Sequence, residues 1–257
     1  MSEANESLGV FITEGATFSL TDIKFSIGPD GTVTGSVTST LGLNMCPLWF
    51  EAAFRQLEQC QEANQRVLAA HAVANDGDLK TALYDEALAG MQAVSATCFA
   101  IDAYYALLKE HTTIEPELIR VWRAKATPRY AQIAQVINRT FKTRNIGQQH
   151  LRKILKQGFD FRDRAVHPPA AAAAPLRYEE INRSVEWRMV HFRFKNAALV
   201  AGANLSAVAQ TVELPRKHNT DGLQRFCEYT QTRVRDIVKR WEPRFGEVLP
   251  PDSSHSN

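Results

Sequence analysis

Two hydrophobic periods divide the chain. Between residues 8 and 43 apolar and polar positions alternate, most cleanly in Ile23-Lys24-Phe25-Ser26-Ile27 and Val33-Thr34-Gly35-Ser36-Val37. A period of two puts one face of a strand in an apolar environment. Val10 to Ile12, Phe18 to Ile27 and Thr32 to Thr38 therefore read as three strands, with Gly28-Pro29-Asp30-Gly31 as the turn between the last two. An antiparallel meander of three strands is too thin to fold alone, so it is expected to lean on the helices or on a second subunit.

From Pro47 the period lengthens to three and four. Trp49, Ala52, Ala53, Leu57 and Cys60, then Val67 and Leu68, mark a helix running to about Ala74. Asn75-Asp76-Gly77-Asp78 breaks it, and Asp78 is expected to cap the next helix, Leu79 to about Glu110. Residues 93 to 105 of that helix are nearly all apolar or small, which predicts a central, buried helix. A third helix starts at Ile114-Glu115-Pro116, with an interruption at Thr127-Pro128 before Tyr130 to Phe141. Gln148 to about His167 forms the next, turning Leu151, Ile154, Leu155, Phe159 and Val166 to the core. The proline-bounded, alanine-rich run from Pro168 to Pro175 reads as an extended, mobile linker. A long helix from Tyr178 to Val212 is predicted beyond it, presenting Trp187, Val190, Phe194, Ala198 and Val200 to the core. A last helix, Asp221 to Trp241, precedes a tail expected to be disordered. The organisation expected is thus a β meander over residues 1–44, a mainly α, up-and-down helical bundle over 45–242, and a tail over 243–257.

Composition narrows the function classes. Of 257 residues, 44% are hydrophobic and 23% charged, which suits a globular domain with a real core. The formal net charge of +2 does not announce a nucleic-acid binder, but its distribution is uneven. Residues 1 to 45 carry Glu3, Glu6, Glu14, Asp22 and Asp30 against Lys24 alone. Residues 139 to 167 carry Arg139, Lys142, Arg144, Arg152, Lys153, Lys156, Arg162 and Arg164 against Asp160 and Asp163. That basic stretch fits either a solvated helix face or a surface for a polyanion. Four cysteines, widely spaced and without a CxxC pair, fit a reducing cytoplasm better than a zinc site or a disulfide framework. No metal or cofactor site is expected, because His71, His111, His150, His218 and His255 lack ligand-spaced neighbours and the phosphate-binding glycine motifs are missing. Neither a signal peptide nor a membrane span is expected.

The chemistry concentrates in Phe159-Asp160-Phe161-Arg162-Asp163-Arg164-Ala165-Val166-His167-Pro168-Pro169. Asp163 lies four residues before His167 and so shares its helix face. The proline pushes His167 out of helical geometry, making it the last helical residue or the cap, where the ring is free to swing toward Arg162. The helix dipole there favours cations, which by itself accounts for basic residues at this end. A titratable imidazole beside a permanent guanidinium is also what cleavage of a phosphodiester without a metal requires. Asp102, an acid inside the most apolar helix, needs a partner and is expected to orient Arg162 or His167. On the following helix Arg188 and His191 could extend an RNA track, although His191 reads first as an ordinary surface or core histidine.

Arg162-Asp163-x-x-x-His167 resembles the R-[polar]-x3-H signature of HEPN domains, helical bundles that include many metal-independent endoribonucleases. The likeness covers the helical part, roughly 45 to 242, and departs from the pattern of many active members in having Asp163 where they have asparagine. It implies an HEPN-like bundle that cleaves RNA by 2′-hydroxyl attack, with Arg162, Asp163 and His167 catalytic and Asp102 supporting. Arg152, Lys156, Arg164, Arg188 and His191 would then contact RNA. It further implies a homodimer that pairs two motifs across a two-fold axis, and it leaves room for an inhibitory partner protein, as in toxin or defence systems. The alternative is a non-catalytic HEPN-type module that binds RNA, a nucleotide or a protein.

Overall fold

A computed structural model of the chain describes residues 16–143, 145–167, 173–214 and 220–248. It separates into two compact units, Met1–Asn44 and Met45–Asn257. The expected strand at Val10 to Ile12 and the tail from Pro250 lie outside the described residues.

The first unit contains a two-stranded antiparallel hairpin, β1 (Ala16–Ile27) and β2 (Val33–Leu43). In the turn Gly28 N donates to Thr32 O at 2.7 Å, and Gly31 adopts a φ of +80° that a side chain would resist. Asp30 Oδ1 accepts from Thr32 N at 3.1 Å, and the Thr32 bonds hold the Asp30 carboxyl below its ordinary range. The register shifts between Thr21 and Lys24, where Asp22 takes a φ of +52°. One extra residue in one strand is a β-bulge, and its effect is legible in the sequence. Ala16, Phe18 and Leu20 precede it on one phase, and Ile23, Phe25 and Ile27 follow on the other. Without the bulge the second trio would turn to the face of Thr17, Ser19 and Thr21. With it, Phe18 stands opposite Leu41, Phe25 opposite Gly35 and Ile27 opposite Val33, giving one apolar and one polar face. The Phe25 ring lies over Gly35, where a Cβ would come 3.1 Å from it. Phe25 and Ile27 remain 74% exposed.

The second unit is mainly helical. Helices α1 (Met45–Ala72) and α2 (Asp76–Glu110) pack along each other as a long helical hairpin. The cap of α2 is Asn75, whose side chain accepts from Gly77 N and Asp78 N at 3.2 Å. Asp78 was the sequence expectation; it lies within the first turn and instead accepts from Asn75 Nδ2 at 2.7 Å. The extended backbone at Asn75, not the choice of acid, decides which residue can cap. Helices α3 (Pro116–Ala124), α4 (Arg129–Phe141), α5 (Asn145–Val166) and α8 (Asp221–Phe245) appear where the periodicity puts them, α8 running past the expected bundle edge at 242.

As its apolar run predicts, α2 is the central element. It touches α1, α4, α5 and the helix Phe194–Thr211, and Val94, Ile101, Tyr104 and Leu108 sit in the main core with Phe50, Leu57, Ile133, Leu155 and Leu205. Leu68 and Val166 do not join that core and are 41% and 57% exposed.

The long helix expected from Tyr178 to Val212 is not one element. Leu176–Tyr178 (β3) and Arg183–Val185 (β4) pair antiparallel around a single 3-10 turn, Glu179–Ile181. Two helices follow, α6 (Trp187–His191) and α7 (Phe194–Thr211). Tertiary packing overrides the helical period here. Tyr178 and Ile181 are buried in a second core with Val67, Leu79 and Leu83, capping one end of the α1–α2 pair. Asn182, at a φ of +52°, turns the chain, and Glu186 accepts from Arg188 N at 2.8 Å to start α6.

This strap over residues 176–194 is latched by Glu86 of α2, which is fully buried. Glu86 Oε1 accepts from Asn64 Nδ2 at 3.0 Å and from Phe194 N at 2.8 Å, and Oε2 accepts from Tyr178 Oη at 2.9 Å. Its carboxylate thus supplies the cap that α7 lacks in its own side chains. One turn on, Gly90 leaves the slot that the Phe192 carbonyl enters; a Cβ at Gly90 would overlap that oxygen.

Candidate active site

Helix α5 carries the candidate residues to the surface of the bundle. Gly158 lies against Asn204 of α7, and Leu155 and Phe159 are buried, so this face of α5 is fixed against the core. The helix ends where Pro168 would forbid continuation, and His167 N still donates to Asp163 O at 2.7 Å.

Arg162 emerges beside Asp102 of α2. Its guanidinium lies 4.5 Å from the centroid of the Phe159 ring, and Nη1 stands 3.8 Å from Asp102 Oδ2. The acid also accepts from Arg129 Nε, at the start of α4, at 2.6 Å. Arg129 in turn covers the ring of Tyr105 at 4.1 Å. Asp102 thus holds two arginines from two helices, and its side chain is only 27% exposed. The acid in the apolar helix has a partner, as desolvation demands.

Asp163 does not face His167 through its side chain. Its Oδ1 accepts from Arg162 Nε at 3.1 Å and from Nη2 at 2.6 Å. The His167 ring is exposed and, among the described residues, has no hydrogen-bond, ion-pair or ring partner. Burial pushes the thiol of Cys98, one turn before Asp102, up to about 12, against the pull of Arg162.

Most of the residues expected to line an RNA track already have partners within the fold. Lys156 pairs with Asp160 at 2.5 Å, which raises its ammonium above the ordinary range. Arg152 lies 6.0 Å from the centre of the Tyr130 ring. Arg188 pairs with Glu186 at 2.6 Å and covers Trp187. His191 stacks on Phe161 at 3.9 Å and meets Phe192 and Trp187 edge-on. Burial, helped by the charge of Arg164, pushes that imidazole down to about 4, so at neutral pH it carries no charge for a phosphate. Arg164 is exposed at the same edge. The structure therefore brings together Arg162, Asp163 and Asp102, and separately Arg164 and His191.

Arg129 is the residue that periodicity missed. Its only sequence signal is a cation at the first position after Thr127-Pro128, and nothing local says that it reaches an acid 27 residues earlier. Glu86 was legible in principle, since it sits on the Leu79, Leu83, Gly90, Ala93 stripe. Among the described residues no cluster of three His, Cys, Asp or Glu side chains has metal-holding geometry, and no helix is long and apolar enough to cross a membrane. Comparison with protein-family models, with curated proteins and with solved structures gave no match.

Proposed function

We propose that this chain is a metal-independent endoribonuclease of the HEPN type, active as a homodimer. The observation that carries the reading is the pairing of Arg162 with the half-buried Asp102 beside a free, solvent-facing His167 at the same helix end. A guanidinium whose position is set by a carboxylate and an aromatic ring is prepared to meet a phosphate. In the reaction the ribose 2′-oxygen forms a bond to phosphorus and the 5′-oxygen leaves. One imidazole takes the 2′-hydroxyl proton, and a second, protonated one gives a proton to the leaving oxygen. One chain contributes one such ring, so the other comes from His167 of a two-fold mate. Arg162 stabilises the charge that builds on the pentacoordinate phosphorus. Asp163 occupies Arg162 at rest; when phosphate displaces it, its carboxylate is released toward His167, one turn away on the same helix face.

Purified protein incubated with mixed RNA in EDTA is expected to cleave it. Arg162→Ala and His167→Ala are each expected to reduce cleavage by about 10²–10⁴-fold with unchanged circular dichroism. Cleavage that survives both substitutions would remove these residues from the chemistry.

A second reading rests on the same geometry. Asp163 already holds both Nε and Nη2 of Arg162, which suits a domain that binds without cutting. For such a module RNA or a nucleotide is bound but not cleaved, and His167→Ala leaves the affinity unaltered.

A further inference from the structure

A cavity of about 860 Å³ opens between α2, α3 and α4, within the size range of small-molecule sites. Three cations reach it from three helices: Lys109 from the last turn of α2, Arg123 from the last turn of α3 and Arg129 from the first turn of α4. None of the residues that line it is acidic. Helix dipoles account for a lysine or arginine at the end of α2 or α3 taken singly. They do not account for Arg129, which stands at the unfavourable, positive end of α4.

Two of the cations lie over one aromatic ring. Tyr105, only 2% exposed, lies beneath both Arg129, at 4.1 Å from its ring centre, and Lys109, at 5.5 Å. Among the described residues neither Lys109 nor Arg123 has an acidic partner. Arg129 spends Nε on Asp102 and keeps its two terminal nitrogens. The rest of the lining is mixed: Thr112, Thr127 and Gln132 are polar, while Ile114, Ile119 and the buried Trp122, whose indole N–H is satisfied by Gln135 at 2.7 Å, are apolar. Two cations with no acidic partner among the described residues, a third with its terminal nitrogens to spare, and Ile114, Ile119 and Trp122 in the same lining suit an anion that carries a flat organic group.

We infer that this cavity binds a phosphorylated nucleotide, its phosphate on Lys109, Arg123 and Arg129 and its base against the Ile114–Trp122 wall. The ligand is a free mononucleotide or a nucleotide within an RNA chain; the chemistry recognised is the same. The inference stands apart from the cleavage reading, because none of these three cations acts on the scissile bond. The two are neighbours all the same. Arg129 shares Asp102 with Arg162, so an RNA strand seated in the cavity would pass directly to the candidate active site.

The test is calorimetric titration of the full chain with inorganic phosphate, with AMP, and with a short 2′-O-methyl RNA that 2′-hydroxyl attack cannot cut. AMP or the oligonucleotide is expected to bind, and Lys109→Glu and Arg123→Glu to weaken that binding at least about tenfold each, since both side chains are exposed. Arg120→Glu, also exposed and paired with Glu117 outside the cavity, controls for general charge and is expected to change little. Loss with AMP identifies a free nucleotide as a ligand; loss with the oligonucleotide alone identifies the RNA chain. The inference falls if neither probe binds, if binding survives both substitutions, if Arg120→Glu weakens it as much, or if phosphate binds as tightly as AMP. Binding is read with probes that cannot be cut and cleavage with natural RNA, so failure of the nuclease reading and failure of this one are read separately.

Discussion

At the scale of single residues, the candidate site is governed by competition for one guanidinium. Arg162 lies between Asp163, which takes two of its nitrogens, and Asp102, 3.8 Å from a third. A phosphate entering the site must displace Asp163, whose side chain is 55% exposed and gains little by the pairing. Asp163→Asn is therefore expected to lower the Kd for uncleavable RNA several-fold in fluorescence anisotropy. A weaker Kd in that variant would show that Asp163 supports binding and does not compete with it. Asp102 acts differently, because it is shared: Asp102→Ala strands both Arg129 and Arg162. That substitution is expected to cost about 1–3 kcal/mol in urea unfolding, the usual effect of removing a charged acceptor. An unchanged midpoint would mean that water replaces the carboxylate at no cost.

At the scale of elements, the strap over residues 176–194 is held to α2 by two small features. Gly90 admits the Phe192 carbonyl. Gly90→Ala is expected to destabilise the fold by about 1–3 kcal/mol through backbone displacement, and an unaltered melting temperature would deny that close approach. Glu86 supplies the other feature. Burial, the largest influence, lifts its carboxyl above the ordinary range against the opposing bonds from Phe194 N, Tyr178 and Asn64. The folded state then holds this proton more tightly than the unfolded chain does. The group adds stability below the ordinary carboxylate range, and that contribution is lost as pH climbs through the raised value. Tyr178 is pushed the opposite way from ionisation, by burial first and the Glu86 charge second, so its hydroxyl stays a donor. Glu86→Gln is expected to flatten this segment of the stability–pH curve measured by urea midpoints. A slope equal to that of the parent chain would assign the titration to another group. His191 rides on this strap and stacks on Phe161, so the latch also sets one wall of the α5 terminus.

At the scale of the whole molecule, the cleavage reading requires two copies, because among the described residues one chain places a single unpartnered imidazole at the α5 terminus. Specific cleavage activity is expected to fall as the protein is diluted, in step with the dimer fraction measured by sedimentation; constant activity across a monomer–dimer transition would remove the shared site. How much of this was legible in advance follows from the range of the interactions. Hairpin, helix and turn depend on neighbours within a few residues, so β1, β2, α1 to α5 and α8 could be read from period and punctuation alone, as could the buried centre of α2. The stretch from Phe159 to His167, and Asp102 as an acid in need of a partner, stand in the same local text. The segment from Tyr178 to Val212 misled because its apolar spacing suits a helix, whereas burial of Tyr178 and Ile181 on the α1–α2 end, and a turn at Asn182, broke it into two strands, a 3-10 turn and two helices. Likewise the partner of Asp102 came from Arg129, on a helix whose position only packing sets, and the cations of the cavity met from three helices. The local order of the chain was thus determined by covalent neighbours and side-chain period. Which charges share an acid, and which converge on one cavity, was decided by contacts between residues far apart in sequence, on which a linear pattern carries no record.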